Sequence, residues 1–259
     1  MGCSNTLQPI FIAAATVVLL IARKKGYSLK IPGRERLPLV VAALSYMFVW
    51  HIASTYAAIL LPSGQAALLG FTMPIWTMLL SWLALGERPS LRLFVAVALA
   101  ALGVGVLAAG AWEAYASAPL GFLCGLSAAM GWAIGTLVIH RAQLTTPSIV
   151  ATGWQLMIAG IPVSAIALIH GRGEFFIPHW TTALVIGYIT LIPMSLGNIA
   201  WFQIASNLPA TVSGITTVMI PIVAMVTGAI FFDEPFGIVQ MFAMASSACA
   251  VAIALSNRR

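Results

Sequence analysis

A chain of 259 residues would ordinarily make one or two soluble domains, but this one is 61% hydrophobic and only 7% charged, against roughly 25% charged in a typical globular protein. That composition excludes a water-soluble fold, which would leave too much apolar surface hydrated. The net charge of +6 does not point to nucleic acid, because the basic residues are scattered over short loops rather than gathered on one soluble face.

Apolar runs near 20 residues, the length needed to cross about 30 Å of hydrocarbon, recur along the whole chain. The first covers Leu7 to Ala22. Its positive charges follow the apolar segment instead of preceding it, so it does not read as a cleaved leader. The next segment, Arg23 to Arg36, carries six of the twelve Lys and Arg residues. Spans follow at Pro38–Leu61, Pro62–Leu85 and Leu91–Gly110, then a loop at Trp112–Ala118. Five more run over Pro119–Ile139, Pro147–Ile169, Trp180–Ser206, Pro209–Phe232 and Phe236–Ser256. The expected fold is therefore an all-α polytopic membrane protein with nine spans.

If Arg23–Arg36 is cytoplasmic, alternation puts eleven basic residues inside and only Arg172 outside. Bias of this kind in short loops sets membrane orientation. The expected location is the cytoplasmic (inner) membrane, with the C-terminus in the cytoplasm. Cys3, Cys124 and Cys249 lie far apart and show no metal or disulfide spacing, so they read as small apolar fillers. Neither a metal nor a cofactor is expected.

An internal repeat organises the chain. At an offset of 147 residues Pro62 meets Pro209, Pro74 meets Pro221 and Glu87 meets Glu234, with Ile75/Ile222 and Met78/Met225 identical. The offset extends to Leu44/Leu191, Met47/Met194, Ile52/Ile199 and Ala53/Ala200, and brings Gln8 onto Gln155. The two halves, 1–112 with four spans and 113–259 with five, have opposite orientations under the charge assignment. Inverted halves meeting near the midplane are a recurrent plan of secondary transporters. The helix at Pro119–Ile139 would find its counterpart before residue 1. Either the protein has nine spans and an external N-terminus, or an earlier segment lies outside this chain.

A proline-interrupted helix ending in Leu85-Gly86-Glu87-Arg88-Pro89, followed by the Ala/Gly-rich run of residues 96–110, resembles the EamA-like branch of the drug/metabolite transporter superfamily. The second half, ending Phe231-Phe232-Asp233-Glu234-Pro235 before another small-residue helix, is similar to the same pattern. The resemblance covers nearly the whole chain. It implies two inverted five-helix bundles, a 5+5 plan of which this chain lacks the first helix, and carriage of amino acids, metabolites or drugs, often outward. The absent helix in that family usually helps to line the central cavity.

An ionisable group at mid-span is a functional candidate by default, and only His51 qualifies. At the repeat offset it meets Asn198. The alternative is a neutral imidazole bonded to a neighbouring helix. Tyr46 and Trp50 are four apart, Trp132 is central in its helix, Trp201 lies three after Asn198, and Trp76 two after Pro74. Trp82, Trp112 and Trp180 fit the interfacial belt; the mid-span tryptophans either pack between helices or line a cavity. The candidate substrate-binding set is Tyr46, Trp50, His51, Trp76, Trp132, Gln155, Asn198 and Trp201. Pro74 and Pro221 remove backbone hydrogen bonds at mid-span and are candidate hinges, or else passive kinks. Gly121, Gly125, Gly131 and Gly135 form two GxxxG steps suited to close helix approach.

No carboxylate lies mid-span, which disfavours a buried-carboxylate antiporter and favours a neutral or zwitterionic solute held by aromatic contacts and hydrogen bonds. Amino acid export is the leading expectation. Quaternary or aromatic cation export is the alternative, and intramembrane hydrolysis, with no deep nucleophile–base pair or HxxxH, is remote. Expected partners are a small-molecule substrate and the bilayer, with the chain as monomer or homodimer. Pro74 and Pro221 are expected at similar membrane depth on opposite sides of a pseudo-twofold axis; a structure placing them at opposite surfaces would end the inverted-pair reading.

Overall fold

The computed structural model describes residues 3–70, 72–110, 112–170, 179–209, 212–213 and 238–255. Every element among them is helical, and six helices are long and apolar enough to cross a membrane. Pro221, the Asp233–Glu234 turn and most of the expected Pro209–Phe232 span lie outside the described residues, so the two-proline comparison does not arise there.

Two compact units interleave the sequence halves. Unit one comprises residues 1–48 and 138–207, and unit two residues 49–137 and 208–259. Unit one is built on α1 (Cys3–Lys24) and α9 (Ser148–His170). Helix α1 buries Phe11, Ala14, Ala15, Val18 and Ala22, a stripe at three- and four-residue steps that is the apolar face of a 3.6-residue period. Glycines in α9 let it approach. A Cβ at Gly153 would come within 2.6 Å of Leu19, and one at Gly160 within 2.8 Å of Ile12. Small residues permit such contact where no hydrophobic force separates helix from lipid.

The next span departs from expectation. Its helix starts at Gly33, five residues before Pro38, as α2 (Gly33–Ala42). It then widens into a π-helical segment at Ala43–Val49 and resumes as α3 (Trp50–Leu60). The corresponding span in the second half does the same: α10 (Trp180–Ile189), a π-helical segment at Thr190–Gly197, and α11 (Asn198–Asn207). Thr190 is the position that meets Ala43 at the 147-residue offset. In the second segment Pro193 supplies a cause, since its ring clashes with the carbonyl four residues earlier. The first segment contains no proline, and nothing in its own sequence compels the widening.

In unit two the expected Pro62–Leu85 span is two helices, α4 (Ser63–Gly70) and α5 (Met73–Leu85). The break precedes Pro74, which sits in the first turn of α5, where a missing N–H costs nothing. Gly86 closes α5 in the left-handed region at φ 68°, the conformation only glycine adopts freely. Ser90 caps α6 (Leu91–Ala109) by accepting the Leu93 N–H. Helix α5 packs with α6 and α12 (Ile238–Leu255) through Met78, Val97, Ala100 and Ala250.

The expected loop at Trp112–Ala118 is instead a short helix, α7 (Trp112–Ser117). Its buried Tyr115 packs on Leu61 and Leu69 and donates a hydrogen bond to the Gln65 carbonyl at 3.1 Å. Helix α8 (Pro119–Ala142) completes the set. Of its GxxxG steps the first is occupied: a Cβ at Gly121 would meet Leu60 and Leu61 at 2.9 Å, and one at Gly125 would meet Leu69 at 2.5 Å.

The one buried carboxylate among the described residues is Glu35. Its Oε1 accepts the Thr145 N–H at 3.0 Å and the Thr145 hydroxyl, and its Oε2 accepts the Thr146 N–H at 3.1 Å and the Thr146 hydroxyl. Thr145 and Thr146 lie just before α9, so the carboxylate pins the segment that leads into that helix from a distant part of the chain, through charge-assisted bonds. Replacing Glu35 by Ala strips four donors of their acceptor and is expected to cost about 2 kcal/mol or more, read as a lowered melting temperature in detergent. Glu35→Gln, which keeps one carbonyl acceptor, should fall between the two.

Candidate functional site

Five of the eight expected site residues fall into two clusters, one in each unit. In unit one Tyr46, from the first π-helical segment, is 1% exposed and donates its hydroxyl to Asn198 Oδ1 at 2.6 Å. Its ring lies parallel to that of Trp201, with centroids 6.5 Å apart and planes 8° apart, and meets Phe202 edge-on at 5.3 Å. Asn198 is set by the π-helical turn before it: its Nδ2 donates to the Met194 carbonyl at 2.9 Å. Ser195 Oγ likewise donates to the Thr190 carbonyl at 2.7 Å. A π-helical turn misaligns carbonyls from their usual N–H donors, and in an apolar surrounding each must be met by another group. Three of the eight expected residues thus converge here.

Gln155, also in unit one, is fully buried on α9, and neither its Oε1 nor its Nε2 has a hydrogen-bond partner among the described residues. Thr152, one turn earlier on the same side of the helix, is equally buried with its hydroxyl unpartnered. Unmet polar atoms in such a place are costly. They mark where water or a solute group would be received.

In unit two Trp50 and Trp132 meet edge to face, with centroids 4.9 Å apart. Trp50 also lines a cavity of about 350 Å³ between α3, α4 and α8. Ser54 and Thr55 supply hydroxyls to its wall, and the remaining lining is alanine or glycine with no charged side chain. Gly70 faces the indole, and a Cβ there would lie 3.1 Å from Trp50. His51 follows Trp50 in α3 and is half-buried. Trp76 joins neither cluster by a described contact. Its indole N–H donates to Thr72 at 3.1 Å, and the Thr72 hydroxyl donates in turn to the Leu69 carbonyl at 2.6 Å, satisfying a group exposed by the α4–α5 break.

Sequence reasoning missed Ser54, Thr55 and Gly70. A signal was present, since Ser54 follows Trp50 at four residues and shares its helix face. It also missed the Glu35 clamp, because a carboxylate at a helix end carries no periodic signature.

The profile of the EamA-like transporter family matches residues 5–109 and again residues 119–256. The chain belongs to the EamA-like transporter family. Among its relatives, an uncharacterised transporter, YvbV, of Bacillus subtilis (strain 168) is 26% identical over 224 residues, covering 85% of this chain and 71% of that protein. The threonine/homoserine exporter RhtA of Escherichia coli (strain K12) is 31% identical over 241 residues, covering 89% of this chain and 75% of that one. A crystal structure 16% identical in sequence superposes with a TM-score of 0.80 over 99% of this chain and 88% of the other, a likeness of fold. As an EamA-like protein the chain is a multi-pass membrane transporter.

Tyr46→Phe removes the donor to a buried asparagine oxygen and is expected to cost about 1–3 kcal/mol, measured as a lowered melting temperature. Asn198→Ala, which removes the acceptor of that bond and the donor to the Met194 carbonyl, should cost at least as much. The double variant should cost less than the sum, the signature of two residues sharing one interaction.

Proposed function

We propose that this EamA-like protein exports a small zwitterionic solute of the amino acid class across the cytoplasmic membrane, by alternating access. The cavity in unit two carries the reading. Its volume of about 350 Å³ is near the low end of the roughly 300–1,000 Å³ usual for small-molecule sites, which suits an amino acid better than a drug-sized molecule. An indole face at Trp50 would attract the solute's ammonium group, and the Thr55 hydroxyl would donate to its carboxylate, joined by that of Ser54 once it leaves the His51 carbonyl, to which it donates at 3.3 Å. Gln155 and Thr152, buried without partners, are proposed as further polar contacts used in another step of the cycle.

The name of the relative RhtA, a threonine/homoserine exporter, favours the same substrate class. The concentration of basic residues in Arg23–Arg36 and at Arg258–Arg259 favours a cytoplasmic C-terminus. The paired π-helical segments at matching repeat positions support two inverted halves with Pro74 and Pro221 as hinges. The aromatic pair Trp50–Trp132 favours, as second reading, an aromatic or quaternary cation.

Purified protein in proteoliposomes loaded with labelled threonine and other amino acids separates the two. Counterflow of at least one amino acid is expected, and Trp50→Ala should lower it roughly tenfold. Gly70→Val, which fills the cavity beside the indole, should lower it at least about fivefold. Absence of flux for every amino acid, with transport of cationic dyes intact, would overturn the reading.

A further inference from the structure

Unit one contains a second recess, unrelated to the aromatic clusters. It is an open cavity of about 1010 Å³ where the end of α1, the 25–32 loop, the start of α2 and the second and third turns of α9 come together. Its rim carries Arg23, Lys30 and Arg36, and its inner wall Leu39, Val40 and Ile158. Trp154 forms one side, and its indole N–H donates to the Leu29 carbonyl at 2.9 Å, which fixes the loop against α9.

Among the described residues no carboxylate pairs with the cations at this rim. Among the described residues the one ion pair is Arg34–Glu35, and the Glu35 carboxylate is already filled by Thr145 and Thr146. Arg36 donates only to a backbone carbonyl, that of Ile31, at 3.3 Å. The recess also straddles a boundary. Its rim lies where the candidate spans Gly33–Leu60 and Ser148–Ile166 begin, and its wall residues lie two to three turns inside them. A tryptophan at that level is the usual marker of the headgroup zone.

We infer that this recess binds an anionic glycerophospholipid, its phosphate on Arg23, Lys30 and Arg36 and one acyl chain along Leu39, Val40 and Ile158. Three unpaired cations above an apolar wall match a molecule that is anionic at one end and hydrocarbon at the other. Basic pockets between spanning helices recognise such headgroups, and a free phosphate would leave the apolar wall uncovered. The site requires only that the chain spans a bilayer, so it stands or falls independently of the proposed cargo.

Native mass spectrometry of the full chain in detergent, titrated with dioleoyl phosphatidylglycerol or dioleoyl phosphatidylcholine, tests it. One phosphatidylglycerol should be retained at least about tenfold more tightly than phosphatidylcholine. The Arg23→Gln/Arg36→Gln variant should erase that preference. Lys24→Gln/Lys25→Gln, which removes the same charge from exposed neighbours outside the recess, should keep it. Val40→Trp, which fills the wall without touching charge, should weaken phosphatidylglycerol as well. Equal losses in the two charge variants would reduce the effect to diffuse surface attraction and overturn the site, as would no loss in either. Displacement of the lipid by millimolar glycerol 1-phosphate or inorganic phosphate would overturn the lipid assignment in favour of a soluble anion.

Discussion

A bilayer offers no water to a backbone carbonyl, so every departure from α-helical hydrogen bonding within a span must be repaired by the protein itself. Among the described residues two of these departures show their repair. The π-helical segment at Thr190–Gly197 is closed by Ser195 and Asn198, whose side chains take up carbonyls one turn back. Asn198 then has its oxygen left to receive Tyr46. The break between α4 and α5 is closed by Thr72, which Trp76 holds in turn. Ser195, Asn198 and Thr72 are thus engaged in backbone repair, and their orientation follows from it.

Much of this was legible in the sequence because the bilayer imposes a length and a polarity on each segment. Eight of the nine expected spans coincide with helices that are described, and the repeat offset found from prolines and methionines also relates the two π-helical segments. What escaped was whatever depends on one residue's surroundings. The apolar run put the start of a span at Pro38, but the helix extends back to Gly33 and carries the proline in its second turn. The polar segment after Ala111 looked like a loop until Tyr115 found an apolar seat beneath it. Of the candidate site, Tyr46, Asn198 and Trp201 could be chosen by shared depth, as could Trp50 and Trp132. The hydroxyls of Ser54 and Thr55 could not, since small polar residues in spanning helices are common and mostly bond their own backbone.

The packing units do not follow the sequence halves, since each takes helices from both. Helices that are distant in sequence thereby share a face, and a buried contact such as Glu35 with Thr145 and Thr146 ties together segments 110 residues apart. Long-range ties of this kind cost loop-closure entropy, which the charge-assisted bonds of Glu35 and the apolar packing of α1 on α9 together offset.

The cavity in unit two owes its room to missing carbons. Six of its nine lining residues are alanine or glycine, and Gly125 has no space for a methyl group because Leu69 already occupies it. Such a chamber has an asymmetric evolutionary neighbourhood. Nearly every substitution at its wall adds atoms, so drift there narrows the range of molecules admitted. Broadening that range requires change at Trp50, the one bulky residue facing the space. Selectivity in descendants of this chain would be expected to tighten by many small steps and to relax by a single large one.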